Sequence, residues 1–268
     1  MPRAIINGVD IHYEVYGVGF DVVLIHGYAR SHQDWAAQIP LLAETYRVTV
    51  FDLPGHGSSS APPAVEAYSI GKLGRDVTGL VDWCGIRRCC IVGHSMGGMV
   101  ALDFALNNPE KTAGLVLVDT SSEVRAPEAF RKALDGLDRI AVEQGLAAAF
   151  ELDLKSAPTM QKRFEKYPRL LECNRRQVSE TSVAGYTGAR RAFASWTGVR
   201  ERLGEIKVPS LVIVGEDDAP IKPSSEVLAS GIAGAKFEVM PGVGHYPHQD
   251  SAEAFNRHLL EFLARLWN

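Results

Sequence analysis

The sequence predicts an α/β fold: a mostly parallel sheet flanked by helices, interrupted by an all-helical insertion. Three observations predict it. Short runs that are apolar throughout and end in a polar residue alternate with helical patterns over the first 120 residues, as parallel strands buried on both faces do. Strand signals then vanish between about residues 122 and 203 and resume at "SLVIVG". Finally, 268 residues, 46% of them hydrophobic, suffice for one large core.

The elements follow in order. "IHYEVYG" (11–17) alternates apolar and polar residues, which suits a half-exposed antiparallel strand near a sheet edge. "VVLIHG" (22–27), "RVTVFD" (47–52), "CCIVGH" (89–94) and "LVLVD" (115–119) are the buried parallel strands. Between the second and third, Ile70, Leu73, Val77, Leu80, Val81 and Cys84 form one helical stripe behind Ser69, an N-cap residue. A second helix opens near Met96 and ends before Pro109. From 122 to 203 Ala, Arg, Glu and Gln dominate, and this stretch is expected to be a helical cap. The core domain then comprises 1–121 and 204–268, completed by strands 210–215 and 236–240 and a helix from about Ala252.

Composition excludes several classes. The net charge is −4, and Lys and Arg occur as isolated pairs, so no nucleic-acid partner is expected. No stretch is long and apolar enough for a membrane span, and the N-terminus lacks the apolar region of a signal peptide. Cys84, Cys89, Cys90 and Cys173 offer no zinc-like pairing, which suits reduced thiols in a cytoplasmic protein. Oligomeric state is left open.

Gly93-His94-Ser95-Met96-Gly97 matches G-x-S-x-G. Chance would produce the pattern in about one chain in ten of this length, so its setting carries the weight. It follows a buried strand and opens a helix, as a nucleophile elbow requires, and Met96 lies where free N–H groups and the helix dipole can hold an oxyanion.

With that elbow in place the chain resembles the α/β-hydrolase fold superfamily over essentially its whole length. "HGYARSHQDW" resembles its oxyanion loop and "FDLPGHGSSS" the loop after the next strand. "GHSMGG" is the elbow, and "VGEDD" and "GVGHYPHQD" resemble the acid and histidine loops. The resemblance implies Ser95 as nucleophile, His245 as base, Asp218 as acid, and the backbone N–H groups of Tyr28 and Met96 as the oxyanion hole. Asp217 and Asp119 are the rival acids. Of the eight histidines, His26 and His56 are expected to stabilise their loops, and the His94 side chain to point away from the site. His248 follows His245 by three residues but has no third ligand nearby in sequence, so no metal is expected, nor any cofactor. Asp52 is read as organising its glycine-rich turn, and Trp35 as anchoring the following helix. Phe150, Met160, Tyr186, Phe193 and Trp196 either line a lid pocket or form the cap's own core.

The resemblance implies a serine hydrolase of small or medium apolar carboxylic esters, working through an acyl-enzyme. Lactone, thioester or carbon–carbon hydrolysis and cofactor-free perhydrolysis use the same machinery. A receptor that retains the three residues is the alternative of another class.

Overall fold

The computed structural model describes residues 2–124 and 128–267. Its strands and helices are β1 (Arg3–Ile6), β2 (Val9–Tyr16), β3 (Phe20–Ile25), α1 (Ile39–Leu42), β4 (Tyr46–Phe51), α2 (Ile70–Trp83), β5 (Cys89–His94), α3 (Met96–Asn107) and β6 (Thr112–Val118). Then come α4 (Glu128–Gln144), α5 (Leu146–Ser156), α6 (Pro158–Lys166), α7 (Pro168–Glu180) and α8 (Val183–Ala194). β7 (Ser210–Gly215), α9 (Lys222–Gly231), β8 (Lys236–Met240), α10 (Pro247–Asp250) and α11 (Ala252–Trp267) complete the chain.

Among the described residues eight strands form one sheet in the order β1-β2-β4-β3-β5-β6-β7-β8. β1 and β2 pair antiparallel, as do β2 and β4, and every later pairing is parallel. The continuous apolar runs are the central strands: every residue of β5, β6 and β7 is buried. Alternate residues feed opposite faces. Val23, Ile25, Ile91 and Leu117 pack with the stripes of α2 and α3, while Val22, Leu24, Val92 and Val118 pack with Trp35 and with Phe255, Leu259 and Leu263 of α11. Ser69 caps α2 as expected, its hydroxyl accepting from the Lys72 N–H at 3.2 Å. β1 has no counterpart in the sequence reading. It is short, and it joins β2 through Asn7-Gly8, both at positive φ, the conformation of a two-residue hairpin turn.

Helices α4 to α8 lie between β6 and β7 and share a small core of their own, with Ala141, Leu146, Ala149, Phe150, Phe164, Val178 and Tyr186 buried. Ala29, from the loop after β3, belongs to that same core. The insertion also presses on the loop after β4. Ser182 N–H donates to the Gly55 carbonyl at 2.8 Å, and a Cβ on Gly55 would stand 2.4 Å from the Gly185 Cα.

Candidate active site

The loops at the carboxyl ends of β3, β5, β6, β7 and β8 converge, the usual place for ligands in an open parallel sheet. The turn after β5 is built from close approaches. Ser95 sits at φ +52°, a conformation that costs a side-chain-bearing residue of order 1–3 kcal/mol. A Cβ on Gly93 would come within 2.2 Å of the Gly97 carbonyl oxygen, and one on Gly97 within 2.4 Å of the His26 carbonyl oxygen. Only glycine leaves room for strand, turn and helix to meet here. Met96 is the first residue of α3, so its N–H has no acceptor within the helix.

β7 ends in a similar squeeze. A Cβ on Gly215 would stand 2.1 Å from the Gly244 carbonyl oxygen, and Asp217 N–H donates to the Val243 carbonyl at 2.9 Å. The acid loop and the histidine loop are thereby fastened together. His245 Nδ1 lies 2.6 Å from Asp218 Oδ2, and His245 Nε2 lies 3.0 Å from Ser95 Oγ. Because a carboxylate only accepts, the imidazole proton sits on Nδ1 and leaves Nε2 free to take the serine proton. Asp218 is 7% exposed.

Of the rival acids, Asp217 is exposed. Asp119 is fully buried beside Asp218 and His245, and its Oδ1 accepts from Gly215 N–H at 3.0 Å. Burial, reinforced by the charge of Asp218, pushes the Asp119 carboxyl well above the usual carboxylate range and so disfavours its charged form.

The histidines divide differently from expectation in one case. His26 accepts from Leu53 N–H at 3.0 Å, and His56 Nδ1 donates to the Pro54 carbonyl at 3.0 Å. Burial lowers both, His56 to about 3. His94 does not point away from the site. Its Nε2 donates to the His245 carbonyl at 2.7 Å, and its ring borders the same cavity as Ser95. The bond to the histidine loop, 151 residues later in the chain, fixes where the ring points. Burial holds His94 neutral. His248 turns away from His245 and packs, fully buried, against Trp35 and Phe255. Its Nε2 is 3.7 Å from Asp34, which also lies 3.8 Å from His94 Nδ1. The groups within reach of His248 are therefore Asp34 and His94, both remote in sequence, rather than His245. Asp52 accepts from the backbone N–H groups of His32 and Ser58 at 2.7 and 2.9 Å, knitting its turn.

A cavity of about 500 Å³ opens over Ser95. Tyr28, Met96, His94 and His245 border it, with Met99, Val124, Phe193, Pro220 and Ile221 as an apolar wall. The Tyr28 ring leans on Tyr186 and Phe193, and its hydroxyl accepts from Arg190 Nη2 at 2.8 Å. Burial raises that hydroxyl well above its ordinary range. Of the five aromatic and soft insertion residues, Phe193 borders the cavity. Phe150, Tyr186 and Met160 pack in the insertion core, and Trp196 packs on the main core. Sequence reasoning missed Arg30 and Tyr246, which also border the cavity. They follow the expected HG and GH motifs by a few residues, but nothing local announces that they meet.

Residues 22–258 match the model of the alpha/beta hydrolase family. The chain is 34% identical over 275 residues to a protein of Variovorax paradoxus (strain S110) assigned as the carbamate hydrolase RutD, covering 96% of this chain and 97% of that one. It is 33% identical over 267 residues to a 2-hydroxy-6-oxononadienedioate/2-hydroxy-6-oxononatrienedioate hydrolase of Paraburkholderia phymatum (strain DSM 17167 / CIP 108236 / LMG 21445 / STM815), covering 95% and 91%. Among solved structures, a malate-bound thermophilic esterase from Thermogutta terrifontis superposes with a TM-score of 0.90 at 28% identity, covering 99% of each chain. Fold, motif order and sequence agree along nearly the whole length: the protein belongs to the alpha/beta hydrolase family.

Proposed function

We propose that the protein is a serine hydrolase of carboxylic esters. The observation that carries this reading is the continuous chain Ser95 Oγ–His245 Nε2 (3.0 Å) and His245 Nδ1–Asp218 (2.6 Å) beside a cavity of about 500 Å³. A serine hydroxyl is a weak nucleophile until a neutral imidazole removes its proton. Ser95 attacks the carbonyl, His245 takes the proton and returns it to the leaving alcohol, and Asp218 steadies the imidazolium. The N–H groups of Tyr28 and Met96 receive the oxyanion. A water activated by His245 then releases the acid. The segment 122–203 acts as the cap, and the apolar wall takes the hydrocarbon part of the substrate. The free cysteines suit a cytoplasmic setting, and among the described residues no helix is long and apolar enough to cross a membrane.

The similar proteins act on carbamates, carbon–carbon bonds and esters, so the bond cleaved is what the experiment must decide. Purified protein is incubated with p-nitrophenyl esters of increasing chain length and, in parallel, with lactones, thioesters and a 2-hydroxy-6-oxo-dienoate. Steady turnover of the esters after any burst supports the reading. A single stoichiometric burst that stalls marks a receptor, and turnover of the dienoate alone marks a carbon–carbon hydrolase.

A further inference from the structure

The cavity over Ser95 has a polar end of unusual composition. Among its described lining residues Arg30 is the only Lys or Arg, and it is 4% exposed. A guanidinium carries five N–H donors and never loses its charge. Arg30 Nη1 donates to its neighbour's carbonyl (Ala29) at 3.2 Å and Nη2 to the Tyr246 hydroxyl at 2.8 Å. Nε has no partner, and the nearest carboxylate, Asp34, lies 4.0 Å away, beyond hydrogen-bond reach. Asp34 is itself engaged by Gln249 at 2.6 Å. Donors therefore outnumber acceptors around this cation.

Tyr246 continues the pattern. Its hydroxyl oxygen accepts from Arg30, so its own proton remains to be given. The guanidinia of Arg30 and Arg163 lie over its ring, 5.1 and 4.1 Å from the centroid, and the ring stands edge-on to His245, the residue before it. Arg163 is in turn held by Asp250 at 2.8 Å. A fixed hydroxyl donor and a fixed cation thus face the cavity beside the imidazole. The remaining charged group there, Glu123, accepts from Arg200 at 2.8 Å.

We propose that Arg30 and Tyr246 form an anion subsite, and that the substrates of this protein carry a carboxylate beside the ester group that Ser95 attacks. This rests on the serine-hydrolase reading above. A carboxylate at hydrogen-bond distance from Arg30 would be nearer to the guanidinium than Asp34 is, and could accept from the spare donors and from Tyr246. A neutral ester would leave those buried donors unmatched, which is how polar sites reject the wrong ligand.

The test compares kcat/KM within two matched pairs. Mono-p-nitrophenyl adipate against its methyl ester places the carboxylate on the acyl side. 4-Acetoxybenzoate against its methyl ester places it on the alcohol side. The expected result is a preference for the carboxylate member in at least one pair, of about tenfold or more and expressed mainly in KM. Arg30→Met should bring that ratio close to one, and Arg30→Lys should keep part of it. Tyr246→Phe should lower it without disturbing the Arg30–Asp34 pair, which covers the case of an unfolded Arg30→Met. Turnover of the neutral members with no carboxylate preference in either pair overturns the subsite and leaves the serine-hydrolase reading standing. If no ester turns over, that reading fails, and calorimetry with adipate and 4-hydroxybenzoate decides the subsite. Binding that Arg30→Met abolishes supports it, and no binding overturns it.

Discussion

Replacing Asp218 by Asn separates the three acidic candidates most sharply. In wild type the carboxylate, 2.6 Å from His245 Nδ1, can only accept, so it selects the tautomer with a bare Nε2. An asparagine amide can donate to Nδ1 and stabilise the opposite tautomer, whose Nε2 proton then faces Ser95. In a triad of this geometry the substitution costs about 10⁴ in kcat, equivalent to about 5.4 kcal/mol of transition-state stabilisation. Asp119→Asn should behave otherwise. Burial and the neighbouring Asp218 disfavour the charged form of Asp119, and in the variant the amide oxygen can still accept from Gly215 N–H. A loss within about tenfold is expected. Asp217 is exposed, so Asp217→Asn should cost still less, through weak screened electrostatics. The assay is single-turnover release of p-nitrophenol by the three variants, each checked for folding by circular dichroism. A near-wild-type Asp218→Asn beside a crippled Asp119→Asn would refute the reasoning and move the acid to the end of β6.

Ser95→Ala should lose several powers of ten in ester hydrolysis and all labelling by a fluorophosphonate; wild-type labelling at another residue would contradict the elbow. Gly97→Ala forces a Cβ to within 2.4 and 2.5 Å of two backbone carbonyl oxygens, so a loss of about 1–3 kcal/mol is expected, visible as a lowered melting temperature; an unchanged one would mean the turn is looser than described. Acidification should destabilise the fold. His56 is pushed by burial to about 3 in the folded state, below its unfolded value, so its stability contribution is complete above about pH 6.5 and declines by up to about 1.4 kcal/mol per pH unit below it. His26, His94 and His248 act in the same direction, all lowered chiefly by burial, while His32, raised by its bonds to Asp52 despite burial, offsets part of the loss. Urea midpoints at pH 7 and pH 5 measure the sum, and an equal or higher midpoint at pH 5 would contradict it.

What was legible in the sequence was what short-range patterning encodes. The central strands announce themselves because burial on both faces makes them apolar throughout, and Ser69 marks its helix because an N-cap acts three residues away. Ser95, Asp218 and His245 could be named because the loops that hold them resemble those of the α/β-hydrolase fold, and those loops meet because the parallel strands all end on one side of the sheet. β1 escaped because four residues at a sheet edge carry almost no periodicity. His94 was misdirected for a different reason. Its orientation depends on a bond to a carbonyl 151 residues away. The Arg30–Tyr246 contact likewise bridges 216 residues, and no local rule connects them.

Tyr28 ties two histories together. Its backbone belongs to the loop after β3, but its ring and hydroxyl are held by Tyr186, Phe193 and Arg190, which arrive 158 to 165 positions later. The insertion is therefore not an interchangeable part. A chimaera that received another hydrolase's helices between residues 121 and 204 would strand a buried hydroxyl whose donor had gone, and would loosen the peptide that carries the Tyr28 N–H. Recombination that respects the protein has its crossover points elsewhere: the segment around Tyr28 must be inherited with α8. Across homologues, positions 28 and 190 should accordingly change in concert, an arginine persisting where a tyrosine does and both disappearing together.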